Sequence, residues 1–335
     1  MVKIALFSGL ISFFLTLASS KIIINLMKSR EIGQYIRNWG PKVHEHKSGT
    51  PTMGGLAILF GLGATVPLIW FYSPETRNYL FLFLLGTFGF GAIGFVDDLM
   101  SLLRGKAKGL TPAGKLVAQI GLGLIFVYLT FQLIELPNQL ILPYSSLTLL
   151  VPPPLFYLFT IIILVGTVNA VNLTDGLDGL AGGGVLISVL GFLAISGTTQ
   201  IPFFSALIAS TLGFLWHNFY PARIFMGDTG AFALGGFLAT SAVVTGTGLL
   251  LPLFGGLFVL ETVSVIIQVS CYRLTGKRIF KISPLHHHFE SADGIDYGYF
   301  LPKIEWEETT ITTRLLIIHT IIVGLGLFGY YGWAA

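Results

Sequence analysis

The sequence predicts an all-α polytopic membrane protein with about ten transmembrane helices, and three observations carry that prediction. Only 10% of the 335 residues are charged, against about 25% in soluble domains, and the mean hydropathy is +0.80. The apolar residues form continuous runs, not the alternation of a membrane β-barrel. The basic residues gather in loops that fall on one side of a ten-span chain, as the positive-inside rule requires. No soluble domain and no internal repeat is discernible, so residues 1–335 read as a single integral membrane domain. The net charge of +3 says little about partners until the charges are placed, and no nucleic-acid partner is expected.

The first apolar run, about 2–27, is longer than the core of a signal peptide. It is read as a retained helix, although Ala18-Ser19-Ser20 would suit cleavage. Nine further runs follow at about 53–72, 78–99, 112–135, 154–172, 178–196, 201–217, 229–246, 249–273 and 312–333. Each is near the ~20 residues that cross a bilayer. The loop between the first and second runs holds five basic residues, and the third-to-fourth loop with its edge holds four. Arg223 lies in the seventh-to-eighth loop, and six more lie around the ninth-to-tenth. That places 16 of the 19 Lys and Arg on one side. The rule makes this side cytoplasmic and puts both termini outside. On the other side, 139–151 has two short β-prone stretches around Tyr144-Ser145-Ser146, a pattern that suits an external hairpin. Cys271 stands alone and excludes an internal disulfide.

Acidic and amide residues cluster at the ends of these runs. They are Asp97 and Asp98 in GFVDDL, Asn169, Asn172, Asp175 and Asp178 in NAVNLTDGLDG, and Asn218 and Asp228 in HNFYPARIFMGDTGA. The run PLHHHFE adds His286, His287, His288 and Glu290. In the predicted topology all of them face the cytoplasm, together with Lys47 and Thr52 around GTPTMGG. Asp175 or Asp178, and Asp228, are placed to cap helices that begin on this side. Asp97 and Asp98 instead stand where a helix is expected to end. Adjacent carboxylates there oppose the helix dipole and repel each other, so neutralising them should not harm folding. A bound cation accounts for the pair better than capping does. Oxygen donors without a thiolate cluster suit Mg²⁺ or Mn²⁺. Three consecutive histidines do not share a helical face and lack HExxH spacing, so zinc is the weaker choice. Metal-assisted phosphoryl transfer on a membrane-borne phosphate fits these residues, with Lys47, Lys115 and the histidines meeting phosphate charge.

In order and spacing these segments resemble the polyprenyl-phosphate N-acetylhexosamine-1-phosphate transferase superfamily, and within it the phospho-N-acetylmuramoyl-pentapeptide transferases. The resemblance spans nearly the whole chain, and the PLHHHFE form favours the muramoyl branch. It implies transfer of phospho-N-acetylmuramoyl-pentapeptide from its UDP carrier to undecaprenyl phosphate, giving lipid I and UMP, with Mg²⁺. The setting implied is the bacterial cytoplasmic membrane, with the active site on its inner face. By the family's motifs Asp97, Asp98 and Asp228 are catalytic, and Asp228 is a Mg²⁺ ligand. Lys47, Thr52, Lys115, Asn172, Asp175, Asp178, Asn218, Phe225, His286, His287 and His288 line the substrate site, with Phe225 suited to stacking on uracil. Ser101 stands where the family commonly has a basic residue, with Arg104, Lys106 and Lys108 as substitutes. The segment after the histidine run, 289–311, is longer than the resemblance leads one to expect.

Two other readings compete. A sibling enzyme would use UDP-N-acetylglucosamine with the same lipid. A transporter would draw on Glu261 and His319, ionisable groups inside apolar runs, although transporters place their sites at the midplane between repeats. Glu261 reads equally as a hydrogen-bonded packing residue or as a neighbour of a lipid groove. Direct attack by the acceptor phosphate is favoured over a covalent aspartyl intermediate, since positioning and charge neutralisation carry most phosphoryl transfer. A homodimer is left open.

Overall fold

The computed structural model describes residues 1–30, 33, 49–104, 109–134, 138–145, 147–292, 295 and 297–332. Among the described residues ten helices lie along the apolar runs: α1 (Val2–Ser29), α2 (Gly55–Tyr72), α3 (Pro74–Arg104), α4 (Pro112–Leu133), α5 (Pro153–Thr174), α6 (Leu180–Ile195), α7 (Ile201–Asn218), α8 (Gly227–Val244), α9 (Gly256–Thr275) and α10 (Glu308–Tyr331). Among the described residues seven of them, α1 to α5, α9 and α10, are long and apolar enough to cross a membrane. Of the others, α6 has 16 residues, and α7 and α8 carry polar ends, His217-Asn218 and Asp228-Thr229.

The helix α8 is the axis of the assembly. Every residue from Thr229 to Val244 is buried, because α2, α3, α5 and α6 pack around it. A helix covered on all sides must be apolar all round, and glycines of the neighbouring helices let them come close. A Cβ at Gly94 of α3 would stand 2.1 Å from the Asp228 carbonyl oxygen, and one at Gly55 of α2 would stand 2.1 Å from the Gly230 nitrogen. Around this axis α1 lies against α2 and α7, α4 against α5, and α10 against α6 and α9. The outer faces expose large apolar side chains such as Phe7, Leu10 and Phe14 of α1, as lipid contact requires.

Two stretches differ from the sequence expectation. The third helix runs on to Arg104 with a π turn at Leu85–Gly89, so Asp97 and Asp98 lie inside it and not at its end. The ninth run is broken. A single turn, Leu251–Phe254, precedes Gly255, and α9 then ends on Gly276 in the left-handed region (φ 69°). The hairpin is present, with Gln139–Ile141 antiparallel to Thr148–Leu150 and Leu140 opposite Leu149. Its tip is tied to α10, where the Tyr144 N–H donates to the Gly329 carbonyl (2.9 Å) and its hydroxyl to the Leu325 carbonyl (3.0 Å).

Because Gly94 touches the α8 backbone, Gly94→Ala should push α3 off α8. Overpacking of this kind costs about 1–3 kcal/mol. A lowered thermal midpoint in detergent, with loss of any activity that depends on Asp97 and Asp98, is the expected result. An unchanged melt would show that the α3–α8 approach is not tight.

Candidate active site

Four helices deliver one polar centre. Lys115, in the first turn of α4, places its Nζ 3.0 Å from Oδ2 of Asp97 on α3 and 2.6 Å from Oδ2 of Asp228 on α8. Asn172, near the end of α5, donates from Nδ2 to the other Asp228 oxygen at 2.9 Å. The Leu110 N–H donates to Asp97 Oδ1 at 2.6 Å. The start of α4 is fixed by local chemistry: Thr111 Oγ1 accepts the Gly114 N–H (3.1 Å) and Pro112 follows at the first helical position. One ammonium thus spans two carboxylates and leaves a net negative charge. Lys115 and Asp228 keep 23% of their side-chain surface exposed, so the centre is open to a ligand.

Asp98 behaves differently from its neighbour. Its carboxylate accepts the Asp228 N–H (3.0 Å), the Thr229 N–H (2.9 Å) and the Thr229 hydroxyl (2.6 Å). It therefore caps α8 from another helix, where a negative charge is favoured. This corrects the expectation that no capping role explains the pair: the partner is remote in sequence, and only the packing of α3 on α8 reveals it. Neither Asp175 nor Asp178 stands at the N-cap of α6, and Asp228 is the second residue of α8 and not its cap. The residue before α6 is Gly179, in the left-handed region with no side-chain cap. Asp175 is where α5 ends, and Asp228 turns its side chain to Lys115 and Asn172.

The other predicted residues form a second tier. Pro51 to Gly55 runs beside Phe225 and Met226, linked by Phe225 N–H to Pro51 O (2.8 Å), Gly54 N–H to Phe225 O (2.9 Å) and Gly55 N–H to Met226 O (2.9 Å). Thr52, buried, and Phe225 are thereby held beside the start of α8. Asp178 and Asn218 brace these turns. The Ala222 N–H donates to Asp178 Oδ2 (2.8 Å), and the Gly179 N–H donates to Asn218 Oδ1 (3.2 Å). Asn218 in turn donates to the Ile224 carbonyl (2.9 Å). Lys47, Lys106 and Lys108 lie outside the described residues. Sequence reasoning missed Thr229, Gln119 and Glu308. Gln119 sits four residues after Lys115 on the same helical face and pairs with Asn169 (2.7 Å), joining α4 to α5. Glu308 accepts the Asp178 N–H (2.8 Å).

The histidine run lies on a loop that doubles back along α9. Gln268 Oε1 accepts the N–H groups of Ile279 (3.0 Å) and Phe280 (2.9 Å), and Glu261 accepts the His286 N–H (3.2 Å) with the His286 ring nitrogen Nδ1 also 3.2 Å away. Glu261 and His286 are both fully buried. Of the two readings of Glu261, the hydrogen-bonded packing residue is the one observed: it anchors the loop. A Cβ at Gly176 would meet His286 Nε2 at 2.3 Å, so the run rests on the turn after α5. His288 Nδ1 accepts the Lys281 N–H (3.1 Å), and burial with the Lys281 ammonium nearby holds its pKa below the usual histidine value. His319 is structural too. Its Nδ1 accepts the Leu257 N–H (3.2 Å), which leaves Nε2 to donate to the Gly184 carbonyl (3.1 Å).

Comparison with known proteins gives the family of the chain. Residues 80–246 match the model of glycosyl transferase family 4, and residues 47–59 match signature 1 of the phospho-N-acetylmuramoyl-pentapeptide-transferases. A Streptomyces avermitilis phospho-N-acetylmuramoyl-pentapeptide-transferase is 39% identical over all of this chain and 99% of its own length. The Anoxybacillus flavithermus enzyme of that name is 39% identical over 97% and 98%, and the Halalkalibacterium halodurans one is 43% identical over 86% and 89%. The chain belongs to the phospho-N-acetylmuramoyl-pentapeptide-transferase family. The family model covers Asp97, Asp98, Lys115, Asn172 and Asp228, the five residues that meet at the start of α8.

The two adjacent aspartates should respond differently to neutralisation. Asp98→Asn replaces one acceptor oxygen with an NH₂ facing N–H donors, and hydrogen bonds to a charged group contribute about 1.5–3 kcal/mol each. Its thermal midpoint should fall clearly, whereas Asp97→Asn should lie close to the wild type because it also relieves repulsion from Asp228. Equal midpoints for the two variants would remove the capping role of Asp98.

Proposed function

We propose that the chain transfers phospho-N-acetylmuramoyl-pentapeptide from its UDP carrier to undecaprenyl phosphate on the cytoplasmic face of a bacterial inner membrane. The observation that carries this is the Asp97–Lys115–Asp228–Asn172 centre, built from four helices of a membrane protein of this family. The acceptor is a phosphate monoester with a second pKa of about 6, mostly dianionic at neutral pH, so little base catalysis is required. An acceptor oxygen attacks the donor phosphorus that bears the sugar, the bridging P–O bond breaks, and UMP departs with the bridging oxygen. Lys115 offsets phosphate charge, Asn172 fixes the rotation of the Asp228 carboxylate, and Asp97 is placed to take a residual acceptor proton. Asp98, saturated by three donors, is poorly suited to be a covalent nucleophile, which favours direct displacement.

The donor set fits Mg²⁺. Asp97 and Asp228 offer hard oxygens beside an amide, although among the described residues no group of three or more His, Cys, Asp or Glu is arranged to hold a metal, so the protein would supply two carboxylates at most. Mg²⁺ ordinarily takes one or two protein carboxylates and completes its shell with substrate phosphates and water. Asp228, with Asp97, would hold the ion, which when bound offsets the negative charge of the donor's pyrophosphate.

Purified protein should release UMP from UDP-MurNAc-pentapeptide only with undecaprenyl phosphate and Mg²⁺, and Asp228→Asn should abolish this while the protein still melts cooperatively. Preference for UDP-N-acetylglucosamine would move the chain to the sibling reaction. No UMP from either donor would leave the transporter reading. For the topology, Lys277→Cys in a chain lacking Cys271 should resist a membrane-impermeant maleimide in intact cells and react in inverted vesicles. Labelling from outside would place the site on the other face.

A further inference from the structure

Lys115 reaches Asp228 from a helix that does not pack along α8. Its helix α4 lies on α5 and α3, and those two in turn pack on α8. The place of the ammonium therefore depends on how α4 sits on its neighbours. A polar pair joins α4 to α5 among otherwise apolar contacts. Gln119 is fully buried. Its Oε1 accepts from Asn169 Nδ2 at 2.7 Å, and its own Nε2 donates to Asn169 Oδ1 at 3.5 Å. Asn169 Nδ2 also donates to the Val165 carbonyl at 2.7 Å. Farther from the centre the two helices meet through apolar groups. A Cβ at Gly123 would stand 3.7 Å from Ile161 and 3.9 Å from Leu164. Apolar contact of that kind tolerates sliding, whereas two buried amides satisfy each other in one register only. Hydrogen bonds between membrane helices add little stability on average, so register is what the pair contributes. Lys115 lies four residues before Gln119, and Asn172 three residues after Asn169, each on the same helical face as its neighbour. A slip of one residue would move α4 by about 1.5 Å, beyond the ~0.5 Å within which a working group must be held.

We infer that Gln119 is a positioning residue for the transfer reaction: by pairing with Asn169 it sets the register of α4 on α5, so that Lys115 from one helix and Asn172 from the other meet the same Asp228 carboxylate. The inference rests on the function proposed above. The effect of Gln119 is carried through Lys115, whose Nζ must stand within reach of Asp97 and Asp228 at once.

The test uses the full chain in detergent and has two arms. The first needs no activity. A small amine-acylating reagent is applied to the folded protein, and the modified lysines are read by peptide mass spectrometry. Lys115, held by two carboxylates, should react slowly in the wild type. Gln119→Leu keeps the bulk of the side chain but cannot pair with Asn169, so Lys115 should react severalfold faster. Lys281, fully buried in the loop after α9, should stay protected in both, because it reports general loosening of the fold. In the second arm Gln119→Leu should lower kcat by up to about a hundredfold, the loss that a misplacement of about 1 Å produces. KM for the UDP donor should stay within about twofold, as when the lost interaction belongs to the transition state. Exchanging the two amides, Gln119→Asn with Asn169→Gln, keeps the summed length of the pair. It should restore the protection of Lys115 and part of kcat. Unchanged labelling of Lys115 in Gln119→Leu, an equal rise at Lys115 and Lys281, an unchanged kcat, or an exchange that restores neither reading would overturn the inference. A wild-type chain that releases no UMP would instead sink the reaction on which it rests, and the labelling arm would then decide the register alone.

Discussion

The contact on which the site depends is that of the Asp98 carboxylate with the first turn of α8. It accepts two backbone N–H groups and a hydroxyl, satisfying donors that a helix start otherwise leaves to water. It also fixes the axial position of α3 against α8. The next residue, Asp97, is thereby held within reach of the ammonium that also binds Asp228. A carboxylate that caps a helix and a carboxylate that meets the shared ammonium are neighbours in sequence, and the first sets the place of the second.

That arrangement concentrates negative charge among largely apolar helices. Asp97, Asp98 and Asp228 lie in one small region, and Lys115 is the cation that two of them share. Like charges held close are unfavourable unless compensated. The compensation here is a helix N-terminus for one carboxylate and a shared ammonium for the other two. The surplus of negative charge is what a divalent cation or a cationic group of a ligand would meet, and the partial exposure of Lys115 and Asp228 leaves the route open. The rest of the polar inventory supports this centre at one remove. Asp178, Asn218 and Glu308 join the turns around α6, α7 and α10, and Glu261 anchors the loop that carries the histidines.

The sequence by itself determined the helical membrane architecture, because continuous apolar runs with few charges leave the backbone no other way to satisfy its hydrogen bonds in lipid. It also determined the hairpin at 139–151 and the set of polar segments that gather around the start of α8. These are local or compositional signals. What only the tertiary structure decided is the job of each polar residue. Asp97 and Asp98 share a motif and a charge, yet one faces Lys115 and the other caps α8. Asp178 and Asn218, read as substrate groups, also brace turns. Glu261, deep in an apolar run, meets a histidine 25 residues later because the loop after Gly276 doubles back. The physical reason is the same in each case: a polar side chain takes its role from the partner that neutralises or hydrogen-bonds it, and those partners are brought together only by the packing of helices far apart in sequence.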